Sequence, residues 1–315
     1  MSSPAFVFPG QGSQSVGMLA DLAAEWPCVR ETFDQASVAL GHDMWRLVQQ
    51  DPDQLLDHTQ YTQPAMLTAG VAVLQVWREA GGPAPACVAG HSLGEYSALV
   101  AAGVLDLDSA LRVVAERARL MQNAVPQGQG AMAAILGLND EMVRSICESA
   151  QNDDVVEPVN FNAPGQVVIA GHAVAVKRAM EEAQRAGAKR AVKLPVSVPA
   201  HSRLMETAAD SLAETLAGVE FTAPAVRVVH NVDAASHAAP EKIRDTLRRQ
   251  LYNPVRWTDS VNAMAAMGVH RFVELGPGRV LAGMTRRIDR SLQGLPVDDP
   301  ASLNKALQQC AHEEA

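Results

Sequence analysis

The 315-residue sequence contains no Gly-Lys dipeptide, which excludes a P-loop. It contains no His-Glu-x-x-His and no Cys-x-x-Cys, so the common zinc signatures are missing and no metal site is expected. Positive charge is scarce: 26 Lys and Arg stand against 35 Asp and Glu, a formal net charge of -9. Such a chain is not expected to bind nucleic acid. No apolar run approaches the ~18 residues of a membrane span, so no membrane association is expected. Met1-Ser2-Ser3-Pro4 carries no basic segment, and a secretory leader is not expected. There are only four cysteines, Cys28, Cys87, Cys147 and Cys310, and they are scattered. Cys87 lies in an apolar strand-like run and reads as a buried free thiol. A reducing, cytoplasmic compartment follows as the expectation. What remains, 48% hydrophobic and 19% charged residues, is the balance of an ordered globular protein.

Short apolar runs alternate with helix-period segments. Residues 5–8 read as a buried strand that stops at Pro9-Gly10. Residues 64–80 read as a helix closed by Gly81-Gly82-Pro83, and 86–89 as a strand. Helices are expected over 95–102 and about 108–123. This alternation predicts an α/β layer architecture with a mostly parallel sheet. The middle differs. Strands at 131–137, 155–162, 166–171 and 188–194, with helices at 140–150 and 175–186, spell βαββαβ, the pattern of a small ferredoxin-like unit. The expected division is a large domain of residues 1–124 and 197–315, interrupted by a small α+β domain at 125–196. A cleft between the two is the natural place for a ligand. The α/β pattern resumes with a strand at 270–275 before Gly276-Pro277-Gly278. The tail, 310–315, is expected to fray.

Gly90-His91-Ser92-Leu93-Gly94 has the spacing of a nucleophile elbow. That chemistry needs a strained strand-to-helix turn, with small residues where the backbone folds back. The helix N-terminus then offers N–H groups to a developing oxyanion. Here the motif falls between an expected strand and an expected helix, which makes Ser92 the candidate nucleophile. A serine needs a base. His91 adjoins it, but adjacent elbow side chains diverge, so His91 reads as a packing or hydrogen-bonding residue. His42, His58 and His312 lie in polar stretches. His201 sits where the chain re-enters the large domain across the cleft; His230 and His270 remain rivals at this stage. As metal ligands, His230 and His237 read more simply as surface histidines.

One arginine breaks its pattern. Placed at about 100° per residue, Leu111, Val114, Ala118 and Met121 form one apolar arc, extended by Val113 and Leu120. Arg117 falls inside it, between Met121 and Val113. A guanidinium there needs an anion or several acceptors. An ion pair with an acidic side chain, or a stem that snorkels to water, would satisfy it. So would a substrate carboxylate, held in a bidentate clamp. A serine nucleophile beside a carboxylate clamp suggests acyl transfer from a dicarboxylic half-thioester.

These residues together resemble a known family. Phe8-Pro9-Gly10-Gln11-Gly12-Ser13-Gln14, Gly90-His91-Ser92-Leu93-Gly94-Glu95, Arg117 and His201 look like malonyl-CoA:acyl carrier protein transacylases, the stand-alone enzymes of bacterial type II fatty acid synthesis. So do Asn160-Phe161-Asn162-Ala163-Pro164-Gly165-Gln166, Gln250 before Asn253-Pro254-Val255, and Glu274-Leu275-Gly276-Pro277-Gly278. The resemblance runs from residue 5 to about 292. It implies a hydrolase-like large domain and a ferredoxin-like small one. It implies that Ser92 carries the malonyl group and that His201 is its general base and then acid. It further implies that the backbone N–H groups of Gln11 and Leu93 form the oxyanion hole and that Arg117 holds the malonyl carboxylate. The carbonyl of Gln250 would orient His201, with His91, Asn160 and Asn162 in support. The implied reaction is ping-pong, needs no cofactor, and takes malonyl-CoA and phosphopantetheinylated acyl carrier protein as substrates. A monomer is expected. The tetrad Val198-Pro199-Ala200-His201 departs from the His-Ala-Phe-His and Tyr-Ala-Ser-His types of modular polyketide acyltransferase domains.

Other readings compete. An acyl-CoA thioesterase or other serine hydrolase shares Gly-x-Ser-x-Gly but has no use for Arg117. A patatin-like hydrolase typically places its aspartate in an Asp-Gly dipeptide, and the sequence has none. Gly10-Gln11-Gly12-Ser13-Gln14-Ser15 follows a strand, but it lacks the third glycine of a dinucleotide fingerprint. A non-enzymatic scaffold would not need Ser92, His201 and Arg117 together. A malonyl transferase serving a polyketide pathway is the nearest alternative. Acyl carrier proteins are acidic, so an enzyme of net negative charge needs local basic patches. Lys189-Arg190 with Lys193, and Arg286-Arg287 with Arg290, are the candidates.

Overall fold

The computed structural model describes residues 3–196 and 198–311. His312 and the end of the tail, together with Met1, Ser2 and Ser197, lie outside the described residues. Among the described residues nine strands form two sheets: β1 (Ala5–Phe8), β2 (Cys87–Gly90), β3 (Gly130–Leu136), β4 (Val156–Ala163), β5 (Gln166–His172), β6 (Arg190–Lys193), β7 (Arg227–Val229), β8 (Arg271–Leu275) and β9 (Gln293–Val297). One sheet has the order β7-β2-β1-β8-β9, and every pairing in it is parallel. The other has the order β4-β5-β3-β6, and every pairing is antiparallel.

Strand alternation builds the core on both faces of the parallel sheet. Phe6 and Phe8 point into a cluster with Leu67, Leu74 and Trp77 from the Thr59–Glu79 helix. Ala5 and Val7 point the other way, toward Trp257, Val261 and Met264 of the Trp257–Ala266 helix. The antiparallel sheet divides likewise. Ala131, Ala133 and Ile135 pack with Val143 and Val176 from the helices Asp140–Ala150 and Ala173–Arg185. The opposite face, with Met132, Val159 and Val168, lies under Leu194, Val196 and Ala200. Val255 stitches the two layers together: its N–H donates to the Val159 carbonyl at 2.8 Å, and its carbonyl accepts from Phe161 N–H at 3.0 Å. That clamp fixes β4, which carries Asn160 and Asn162.

Several expectations shift. The helix expected from residue 64 begins a turn earlier at Thr59, so Pro64 lies inside it and only one main-chain hydrogen bond is forfeited. Helices Ala20–Glu25, Pro27–Leu40 and Met44–Gln50 precede it, where the sequence reading assigned nothing. Pro27 in the first turn and Gly41 at its end, at φ 75°, were the available signals for the second of them. The strand expected at 188–194 spans only Arg190–Lys193. All four cysteines are free; Cys87 is fully buried in β2, and desolvation pushes its thiol up to about 11. Among the described residues no helix is long and apolar enough to cross a membrane.

Candidate active site

β1 and β2 run side by side, with Phe8 opposite Gly90. Beyond Gly90 the chain reverses through His91, Ser92 and Leu93 into the helix Gly94–Ala101. Ser92 sits at φ 52°, a left-handed conformation that costs a non-glycine residue about 1 kcal/mol or more. The flanking glycines make the turn possible. A Cβ on Gly90 would overlap the Gly94 carbonyl, and one on Gly94 would overlap the Phe8 carbonyl. Asn231 holds both sides of the bend: its Oδ1 accepts from Ser92 N–H at 2.7 Å and its Nδ2 donates to the Gly90 carbonyl at 2.7 Å. The sequence reading did not single out Asn231.

His201 reaches the elbow from the loop after the antiparallel sheet. It is 3% exposed and at φ 66°, pinned by its N–H to the Leu251 carbonyl at 2.8 Å. Its Nδ1 lies 2.6 Å from the Gln250 carbonyl and its Nε2 2.7 Å from Ser92 Oγ. A carbonyl only accepts, so Nδ1 carries the proton and Nε2 presents a lone pair to the serine. Burial, and next the positive charge of Arg117, push the His201 pKa down to about 3. The ring is therefore neutral at pH 7, as a base must be.

The other histidines lie elsewhere. His230 is completely buried, which corrects its reading as a surface residue; its Nδ1 meets Glu95 Oε1 at 2.7 Å and not the serine. His237 stacks on it and bonds Asp233 at 2.9 Å. His270, His42 and His58 are exposed. His91 has the expected hydrogen-bonding role. Its Nε2 meets Asn162 Oδ1 at 2.8 Å, its ring lies against Trp257, and burial lowers its pKa. Asn160 and His91 line one cavity, and the Asn160 Oδ1 is buried and unpartnered among the described residues.

Arg117 comes from the helix Leu107–Asn123, whose first turn is capped by the Asp106 side chain on Ser109 N–H at 2.8 Å. The guanidinium is 1% exposed, so its stem does not snorkel to water. Among the described residues it also has no ion pair. Nη1 donates to Gln63 Oε1 at 2.6 Å, and Nη2 donates to Gln250 Oε1 at 2.9 Å and Ser92 Oγ at 3.3 Å. Nε has no partner there. A buried cation supplied only with neutral oxygens is chemically able to take an anion.

A cavity of about 340 Å³ joins these groups, with Ser92, His201, Arg117, Gln63, Gln11 and Leu93 on its polar side. Met121, Met132 and Val198 form its apolar side. The main-chain N–H groups of Gln11 and Leu93 have no protein acceptor among the described residues. Gln250 contributes more than the expected carbonyl: its Nε2 donates to the Ser92 carbonyl at 3.0 Å and to Glu95 Oε2 at 2.8 Å. Gln63, Glu95 and Asn231 are the site residues that sequence reasoning missed. Glu95 carried two signals: it closes the quoted Gly90–Glu95 motif, and it is the one charged residue of the helix Gly94–Ala101.

This constellation defines an acyltransferase, and the comparisons agree. The acyl transferase domain family matches residues 5–303. The malonyl CoA-acyl carrier protein transacylase of Escherichia coli K12 is 57% identical over 308 residues, which cover 98% of this chain and 100% of that one. That of Bacillus subtilis is 42% identical, covering 98% and 97%. The solved transacylase of Coxiella burnetii superposes with a TM-score of 0.97 at 49% identity, covering 99% and 98%. The chain belongs to the acyl transferases, and within them to the family of malonyl CoA-acyl carrier protein transacylases.

Proposed function

We propose that the protein moves a malonyl group from malonyl-CoA to the phosphopantetheine thiol of acyl carrier protein, supplying extender units for fatty acid synthesis. The observation that carries this reading is the placement of Arg117 Nη2 3.3 Å from Ser92 Oγ. In a malonyl ester, two C–C bonds of about 1.5 Å separate the ester carbonyl carbon from the carboxylate carbon. The carboxylate of a Ser92 ester thus falls within reach of the guanidinium, whereas an acetyl group leaves Arg117 with neutral partners only.

Ser92 Oγ attacks the thioester carbonyl carbon as its proton passes to His201 Nε2. The carbonyl electron pair moves to oxygen, which accepts from the N–H groups of Gln11 and Leu93. Collapse breaks the C–S bond, and His201 returns the proton to the departing thiolate of CoA. The carrier thiol then gives its proton to His201 and attacks the ester. The C–Oγ bond breaks and His201 reprotonates Ser92. The Gln250 carbonyl keeps one imidazole tautomer through both halves without a buried negative charge beside the ring. No resident cofactor takes part.

The strand orders support reading the parallel layer as hydrolase-like and the β4-β5-β3-β6 sheet as ferredoxin-like, with the insert at 125–196 in a large domain of 1–124 and 197–315. The enzyme acts as a cytoplasmic monomer. The two basic clusters support a single carrier-docking face. All six side chains are exposed. Arg287 Nη1 donates to Gln166 Oε1 at 2.8 Å, and Gln166 pairs through Leu136 with Arg190. A solved relative, 54% identical with a TM-score of 0.96, is described as a malonyl-transacylase in complex with a type II PKS acyl-carrier protein.

Initial rates at varied malonyl-CoA and holo carrier test the reading. Parallel double-reciprocal lines are expected. Intersecting lines, or release of free malonate in place of transfer, would mark a different enzyme.

A further inference from the structure

We infer that Glu95 is a positioning residue for malonyl selectivity, setting the orientation of the Gln250 side chain that aims the Arg117 guanidinium. This rests on the malonyl-transfer reading above and extends it to a residue outside the cavity.

Glu95 is fully buried directly after the elbow. Three nitrogens converge on its two oxygens: Gln250 Nε2 donates at 2.8 Å, the Asn231 N–H donates at 3.1 Å, and His230 Nδ1 lies 2.7 Å away, a donor when Glu95 is a carboxylate. Such a ring of donors suits a carboxylate, which only accepts. Arg117, the buried cation nearby, lacks any hydrogen-bonded anion among the described residues. Between the two lies one carboxamide. Its oxygen takes Arg117 Nη2 at 2.9 Å, and its nitrogen faces Glu95 and the Ser92 carbonyl.

The two charges thus decide which way the amide points: oxygen to the cation, nitrogen to the anion. A flipped amide would set N–H against N–H at Arg117 and oxygen against oxygen at Glu95. Glu95 therefore holds Gln250 Oε1 on Nη2, and Nη2 is the guanidinium nitrogen that also reaches Ser92 Oγ. The same carboxylate takes the main-chain N–H of Asn231, the residue that bridges the elbow. A single buried anion is thereby tied to both the nucleophile's turn and the carboxylate receptor.

The test compares acyl-enzyme formation from malonyl-CoA and acetyl-CoA by rapid quench in wild type and Glu95→Gln. Glutamine keeps the shape but removes the charge that orients Gln250. The malonyl-to-acetyl ratio of kcat/KM is expected to fall about tenfold or more, with KM for malonyl-CoA rising more than kcat falls. Equal losses for both acyl groups would mean that Glu95 only supports the fold, and would overturn the inference. If Glu95→Gln does not fold, Gln250→Met decides. It keeps the main-chain carbonyl on His201 but breaks the amide bridge, and an unchanged ratio there overturns the inference. Failure of the wild type itself to form a malonyl ester would instead sink the underlying malonyl-transfer reading.

Discussion

Arg117 Nη2 donates to Ser92 Oγ at 3.3 Å while His201 Nε2 meets the same oxygen at 2.7 Å. Ser92 Oγ is therefore shared between an imidazole and a cation. The cation depresses the imidazole pKa, and in the proposed reaction an anionic acyl group engaging Arg117 relieves that depression as it binds. On that reading, selectivity and nucleophile activation are coupled through one guanidinium.

Replacing Arg117 with methionine keeps the apolar stem and removes the charge. The kcat/KM for malonyl-CoA is expected to fall by roughly 10²–10³, the cost of an unpaired buried carboxylate. Acetyl-CoA is expected to lose no rate. Single-turnover acylation with each thioester checks this; equal losses would remove the arginine from carboxylate recognition.

Gly90→Ala puts a methyl group into the Gly94 carbonyl. The elbow then opens or the protein unfolds, with an expected loss of about 3 kcal/mol or more. Urea denaturation measures it. A variant of unchanged midpoint and activity would show that the bend tolerates a side chain.

Acid should destabilise the protein through His201. Its folded pKa of about 3 lies below the unfolded value of 6.5. As pH falls below 6.5 the unfolded chain binds a proton that the folded site refuses, and stability declines down to about pH 3. His91, also lowered by burial, acts in the same direction. Unfolding midpoints at pH 7.5 and 5.0 should differ less for His201→Gln than for wild type. Identical differences would contradict the buried neutral imidazole.

Reversing charge at Arg190 and Arg287 together should raise KM for the carrier about tenfold while malonylation from malonyl-CoA proceeds normally. An unchanged carrier KM would place docking elsewhere.

Much of the site was legible because certain residues violate their local pattern. Ser92 lies between two glycines where strand meets helix. Arg117 interrupts an apolar arc that the structure buries except at Leu120, which is partly exposed. His201 needed context, since nothing in its neighbours separates it from His230. The roles proposed for Gln11, Leu93 and the Gln250 carbonyl use main-chain atoms, which leave no side-chain signature, so only the resemblance pointed to them. Asn231 and Gln63 are ordinary polar residues until tertiary packing brings them to the elbow and the guanidinium from 139 and 54 positions away in sequence. The βαββαβ order of the elements from β3 to β6 was readable from the sequence pattern alone. The helices between residues 20 and 50 went unread although Pro27 and Gly41 marked the ends of one.

The most direct measurement is an intact mass of the protein after incubation with malonyl-CoA alone, beside Ser92→Ala and an acetyl-CoA control. A malonyl-sized adduct on wild type only, formed far faster than the acetyl adduct and discharged by holo carrier protein, is the predicted result. An adduct that survives in Ser92→Ala, or an equal adduct from acetyl-CoA, would contradict the pairing of Ser92 and Arg117 on which the account rests.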